Sequence, residues 1–235
     1  MSNRASPHTI EVWGDFACFT SPMKVERWSY PFITPSAARG IFDAIFVNRH
    51  EFRWQVDRIE ILSEPQYIAL MRNEVKEKGP SEKDVEKWRL DPAKIGPILA
   101  DATGDTKGRT QRQTMALRDV RYRLTAHIEP WSSAPKSITA YESQFQRRLD
   151  RGQCFTQPCF GCREFIAWWD RPDESHHLWE GDIDAGWMLY DVFDLSQPGE
   201  SNSAARVSVF HAQAKGGVVV VPPYESNLVK KGESQ

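Results

Sequence analysis

From Val120 to Glu129 the chain alternates with a period of two. Val120, Tyr122, Leu124, Ala126 and Ile128 are apolar, and Arg121, Arg123, Thr125, His127 and Glu129 between them are polar or charged. Successive side chains of a strand point to opposite faces, so the segment reads as a half-buried strand. Its inner face must meet other apolar elements, while its outer face carries arginine and histidine. The chain therefore builds at least one sheet with a layer packed against it.

That outer face belongs to a wider charge pattern. Arg109, Arg112, Arg118, Arg121 and Arg123 are interrupted by a single acid, Asp119. Arg147, Arg148 and Arg151 form a second basic cluster, and acids crowd the stretch from Asp170 to Asp194. The formal net charge of −2 excludes a uniformly basic nucleic-acid binder. A chain divided in this way can still hold a polyanion along one face. A solvated helix or hairpin face would show the same basic run.

The other segments follow from their own periodicities. Thr9–Phe19 reads as a strand. Thr34 is an N-cap with Pro35 at the first helical position, and Ala37, Ala38, Ile41, Phe42, Ile45 and Phe46 repeat at helical spacing. Phe52–Leu62 alternates less strictly and reads as a second strand, with Tyr67–Val75 as a third. The polar insertion from Lys76 to Gly108 is too long for an ordinary connection, so it is a functional loop or an excursion with structure of its own. Ile138–Arg151 is a second helix, stopped by Gly152. Cys154–Asp170 is read as a strand region. Gly186–Asp191, Val207–Phe210 and Gly217–Val221 are short β segments.

The order β-α-β, hairpin, α-β over the first 170 residues is the split βαβ arrangement, ferredoxin-like and RRM-like. With the strand-rich tail, the expected class is α+β. The expected division is a domain over 1–170 and a β-rich subdomain over 171–235.

With 40% hydrophobic and 26% charged residues, the composition is that of a soluble globular protein. No apolar run approaches the ~20 residues of a membrane span. The polar N-terminus does not read as a secretory signal, so the cytoplasm is the expected compartment. Cys154, Cys159 and Cys162 fall as C-x4-C-x2-C, with Cys18 distant. Zinc sites prefer two tight pairs, and only one is present, so buried free thiols and no metal or other cofactor are expected. Trp168, Trp169 and Trp187 are expected in the core or at a subunit interface.

The segment Tyr30 to Phe46 (YPFITPSAARGIFDAIF) resembles the first-helix motif of the CRISPR-associated Cas-five family in its type I-C form. Arg72-Asn73-Glu74-Val75, Gln113 to Tyr122, Gly152 to Phe165 and Gly186 to Asp194 agree with it, in the family's order. The resemblance implies a ferredoxin-like domain with a long β-hairpin thumb at about 76–123, and a C-terminal antiparallel sheet. It implies a subunit that cleaves precursor crRNA within the repeat, without metal, and remains on the 5′ handle of the crRNA. It also implies partners: the backbone and large subunits of a type I-C surveillance complex, and target DNA reached through that complex.

The family's site uses a Tyr at the end of the first helix and a Lys-His pair opening the second. Here those positions hold Phe46, Ala140 and Tyr141. Only Tyr141 retains an ionisable group. Metal-free RNA cleavage needs a base for the 2′-hydroxyl, a charge stabiliser and an acid for the leaving oxygen. The candidates are Tyr141, Lys136 just before the second helix, and His127, the side chain whose ordinary pKa lies nearest neutrality. Each has a plain alternative: Tyr141 as core, His127 as a surface histidine, Lys136 as a solvated loop charge. Candidate RNA contacts are Arg39, Arg109, Arg112, Arg118, Arg121, Arg123, Arg147 and Arg148, with Trp131 and Tyr141 as exposed stacking platforms. An architectural RNA-binding subunit capping the crRNA 5′ end is the competing reading. A zinc-binding regulator built on the cysteines is a third.

Overall fold

The structure, a computed structural model, describes residues 5–21, 27–75, 79–96, 109–199 and 206–232. In chain order its elements are β1 (His8–Ala17), β2 (Arg27–Trp28), α1 (Pro35–Ile45), β3 (Phe52–Ile61), β4 (Gln66–Val75), α2 (Glu82–Leu90), β5 (Arg109–Pro130), α3 (Ile138–Asp150) and β6 (Trp168–Asp170). They continue with β7 (Ile183–Asp191), β8 (Ser208–Ala214), β9 (Val218–Val220) and β10 (Lys230–Lys231). The class is α+β. Two compact units result, one of Met1–Ile68 with Met115–Gln235 and one of Ala69–Thr114.

In the first unit the main sheet runs β6-β1-β5-β3-β9, and β2 also pairs with β5. The β1/β6, β1/β5, β3/β5 and β3/β9 pairs are all antiparallel. The expected alternation in β5 is present: Val120, Tyr122, Leu124, Ala126 and Ile128 are buried, and the residues between them are half-buried. Helices α1 and α3 meet the sheet through rings. Phe42 lies 4.9 Å from Trp54, and Phe145 lies 4.8 Å from Trp54 at a steep angle. Such tilted and edge contacts add to the area these large side chains bury.

Helix α1 forms for the reasons its sequence suggests. The Thr34 hydroxyl accepts from the Ala37 N–H at 3.2 Å, and Pro35 opens the first turn. At the other end Arg148 donates to the Ile45 carbonyl at 3.0 Å, placing a cation at the negative pole of the helix. Strand β3 carries a bulge between Val56 and Arg58. A bulge adds one residue and re-aims a side chain, and the extra residue here is Asp57.

A second sheet, ordered β10-β8-β7, packs beside α1. Its Tyr190 hydroxyl donates to the Pro222 carbonyl at 2.8 Å and meets the buried Gln55 of β3 at 3.0 Å. The β segment at Val218–Val220 joins the main sheet instead, on the free side of β3. Trp168 and Trp187 are exposed, so of the two places expected for them, core or subunit interface, the core is ruled out for these two.

Cys154–Asp170 is not one strand. Only Trp168–Asp170 is, and the rest folds as turns. Phe155 and Thr156 both donate to Ala44, Cys18 donates to Phe160, and Gly161 turns at φ 82° against the Cys18 carbonyl. A side chain at Gly161 would collide with that carbonyl. All four cysteines are free thiols, and only Cys18 is fully buried.

The second unit holds the outer parts of the paired strands β4 and β5, the helix α2 and a 3-10 turn at Pro92–Lys94. Helix α2 has no buried residue. It persists through a capping box, in which Asp84 N–H donates to the Ser81 hydroxyl at 3.3 Å and Ser81 N–H donates to the Asp84 carboxylate at 3.1 Å.

Candidate functional site

A cavity of about 980 Å³ opens where β5 runs out toward α3. Arg53 and Asp57 of β3, His127 and Glu129 of β5, and Trp131 and Lys136 of the β5–α3 connection line it. Period two puts His127 and Glu129 on the same side of β5, and the bulge turns Asp57 toward them. His127 Nδ1 lies 2.8 and 3.0 Å from the two Asp57 carboxylate oxygens. Its Nε2 lies 3.4 Å from Glu129 Oε1. Arg53 holds the other Glu129 oxygen at 2.7 Å, donates to the Leu195 carbonyl, and lies over the Trp131 ring at 5.8 Å. Trp131 is fixed in turn by its indole N–H, which donates to the Arg49 carbonyl at 3.0 Å.

This arrangement sets the charges. Hydrogen bonding to Asp57, and then to Glu129, raises the His127 pKa to about 9 against the opposing effect of burial. His127 is therefore an imidazolium at neutral pH, not the near-neutral titrator its residue type suggests. Glu129 is held below the usual carboxylate range, chiefly by the bond from His127.

Lys136 is exposed at the cavity wall, with Nζ 4.0 Å from Glu51 Oε2 and 5.9 Å from the centre of the Tyr141 ring. Tyr141 itself is only 1% exposed, within the core and away from the cavity lining. That corrects its reading as an exposed stacking platform: the spacing it shares with Ile138 and Phe145 is the buried stripe of α3. Burial, followed by nearby Glu51, raises its phenol above the ordinary value. The Tyr141 hydroxyl and Glu51 Oε2 are both buried without a partner in hydrogen-bond geometry.

The arginines do not form one open face. Arg121 donates to Glu11 and lies over the Trp13 ring at 4.9 Å, while Arg123 lies 3.8 Å from Glu11 and donates to the Asp173 and His176 carbonyls. Glu11, 2% exposed, also meets His176 Nδ1 at 2.7 Å and the Asp173 N–H at 3.2 Å. The 173–176 segment thus folds back over the basic strand through its backbone carbonyls, and the carboxylate that neutralises both arginines is Glu11 of β1. Arg39 is enclosed too, donating to Asp191 at 2.8 Å and Asp43 at 2.7 Å, so it ties α1 to β7. Arg148 caps α1 and lies 5.6 Å from the Phe46 ring. Arg118 is exposed beside Gln66, Arg147 is exposed on α3, and Arg112 is exposed in the second unit. The Arg109 side chain lies outside the described residues.

The structure thus brings His127 and Lys136 to one cavity, with Tyr141 beneath Lys136. Asp57, Glu129 and Arg53 are the neighbours that residue-type reasoning missed, because their meeting depends on the register of β3 against β5.

Comparison with known proteins places the chain. A family profile described as "CRISPR-associated protein (Cas_Cas5)" matches residues 9–222. The chain belongs to this Cas5 family. The CRISPR pre-crRNA endoribonuclease Cas5d of Mannheimia succiniciproducens is 36% identical over 242 aligned positions, covering 98% of this chain and all of the relative. The protein of the same name from Thermus thermophilus is 34% identical over 226 positions, covering 91% and 90%. Among solved structures, a CRISPR-associated protein superposes with a TM-score of 0.66 at 18% identity, over 96% of this chain and 97% of the other. A functionally uncharacterized protein from Streptococcus mutans gives 0.63 at 17% identity, with the same coverage. These two likenesses concern the fold.

In this Cas5 chain the resemblance assigns catalytic places to Phe46, Ala140 and Tyr141. Phe46 is buried and packs on Phe52 at 5.1 Å, Ala140 is exposed, and Tyr141 is in the core. Of the cationic groups, Lys136 stands over Tyr141 at the start of α3, and His127 shares with Lys136 the cavity that opens there.

Proposed function

We propose that this Cas5 protein is a metal-independent endoribonuclease that cuts precursor crRNA within the repeat and stays on the 5′ handle. The observation that carries the reading is the cavity in which an imidazolium, His127, and an ammonium, Lys136, face carboxylates and the half-buried ring of Trp131. The names of the two relatives support the same substrate. In the reaction the 2′-hydroxyl attacks its own phosphate, leaving a 2′,3′-cyclic phosphate and a 5′-hydroxyl. Lys136 stabilises the charge that gathers on the phosphate oxygens, and His127 protonates the departing 5′-oxygen. Tyr141 supports Lys136 from below. Trp131 offers a face to an unpaired base, and Arg147, Arg118 and Arg112 add phosphate contacts.

The same proposal covers the architecture. The order β6-β1-β5-β3 with both helices on one side supports a ferredoxin-like domain over 1–170. The thumb spans about 76–123, and the β7-β8-β10 sheet supports a C-terminal subdomain over 171–235. On the family resemblance, the protein works in the cytoplasm with the backbone and large subunits of a type I-C surveillance complex, reaching target DNA through it.

The test is end-labelled repeat RNA incubated with purified protein in chelator. The expected result is one cut, with the handle fragment retained. Lys136→Ala and His127→Ala should each slow it about 100-fold or more. Intact RNA that nevertheless stays bound would favour the architectural alternative.

A further inference from the structure

Resting on that reading, we infer that Glu129 is the general base of the cleavage and His127 its acid, with Asp57 and Arg53 as the positioning residues that aim them. The geometry carries this. Glu129 and His127 share one face of β5, both are partly open to the cavity, and Glu129 Oε1 stands 3.4 Å from Nε2. Each is fixed from behind by a different group of β3. Asp57 grips Nδ1 at 2.8 Å, which leaves Nε2 as the proton to give. Arg53 grips Glu129 Oε2 at 2.7 Å, which leaves Oε1 as the oxygen to receive. Both groups line the cavity, so a substrate entering it meets Nε2 and Oε1 together.

The step balances without a further reactant. The 2′-hydroxyl passes its proton to Glu129 Oε1 as the 2′-oxygen bonds to phosphorus. The bond from phosphorus to the 5′-oxygen breaks, its electron pair goes to that oxygen, and the oxygen takes the Nε2 proton of His127. Glu129 is then a carboxylic acid and His127 a neutral imidazole. The proton returns from one to the other across the contact seen in the free protein.

A phosphate entering between the pair also separates it. Separation lowers the affinity of His127 for its proton and raises that of Glu129, so each becomes the stronger catalyst. The groups that face His127 from other elements are Asp57 and Arg53 on β3, His8 on β1 and Lys136 before α3. The neighbouring His127 charge, after burial, lowers the His8 pKa.

The test is the pH dependence of single-turnover cleavage, with RNA affinity measured alongside. Wild type should hold its rate up to an alkaline midpoint above the ordinary histidine range. That midpoint lies below the value of about 9 that His127 has in the RNA-free protein, because the bound phosphate has taken it from Glu129. Glu129→Gln should lose about 100-fold or more in rate while repeat-RNA affinity stays within about threefold. Asp57→Asn should draw the alkaline midpoint down toward the ordinary histidine range, and the imidazole titration read by NMR in the free protein should move with it. Cleavage by Glu129→Gln at the wild-type rate would overturn the base assignment and leave the endoribonuclease reading intact. An unmoved alkaline midpoint in Asp57→Asn would overturn the positioning role. Failure of wild type itself to cut would sink the underlying reading and this inference with it.

Discussion

A cationic side chain is worth different things in different company. Arg39 is 12% exposed at its side chain and bridges Asp191 and Asp43, both nearly buried. Removing it leaves Asp191 to the Val192 and Phe193 backbone N–H groups and Asp43 to Arg49 as its charged partner. Breaking a buried pair in this way costs about 3–5 kcal/mol. Arg39→Ala should therefore lower the urea midpoint sharply, and any RNA defect should follow from the loss of folded protein. Tyr141 makes the opposite case. Its hydroxyl is buried near the Glu51 carboxyl and the Lys136 backbone but has no partner in hydrogen-bond geometry, so Tyr141→Phe removes a desolvated group whose remaining interactions are weak. Cleavage within about twofold of wild type and equal or higher stability are expected; a hundredfold loss would return the phenol to the chemistry. His127 contributes to stability through its charge. Its folded pKa, about 9, stands above the ordinary 6.5, so the stabilisation is full below pH 6.5 and is lost as pH rises through about 9. Melting temperatures across that window should fall in wild type and stay flatter in His127→Gln.

Elements were legible where the pattern is local. The Thr34-Pro35 start of α1 and the strict alternation of β5 stand as read, because capping and period two involve neighbours in the chain. Thr34→Ala should cost about 1 kcal/mol in denaturant unfolding. In β3 the looser alternation carried more information than its appearance: Phe52, Trp54 and Val56 are in one phase, and Ile59 and Ile61 in the other. That slip is the bulge, and the residue inside it, Asp57, is the one that grips His127. The strand expected across Cys154–Asp170 failed for a local reason too. Pro158 and Gly161 break the run, and its amide groups bond to Ala44 and into the turn around Phe160.

Across the molecule, opposite charges far apart in sequence meet. Glu11 is 110 positions from Arg121 and 165 from His176 in chain order, yet binds both. Arg53 and Glu129 are 76 apart. No local pattern encodes such pairings, so a basic run in the sequence became a half-neutralised face in the fold, and the outlying arginines became the better candidates for phosphate. Repeat-RNA binding measured across salt should distinguish the two kinds. Arg147→Ala should reduce the slope of log affinity against log salt by about 1, whereas Arg121→Ala should leave that slope nearly unchanged and lower stability instead. Equal flattening by both would mean that Arg121 leaves Glu11 for the RNA.

The most direct measurement of the whole account uses repeat RNA with a single 2′-deoxy nucleotide at the scissile position, in chelator. The prediction is that wild-type protein binds it as tightly as the all-ribose strand and does not cut it, while the all-ribose strand yields a 2′,3′-cyclic phosphate and a 5′-hydroxyl. Cleavage of the deoxy-substituted strand would contradict attack by the RNA's own hydroxyl, and with it the roles given to His127, Lys136 and Glu129.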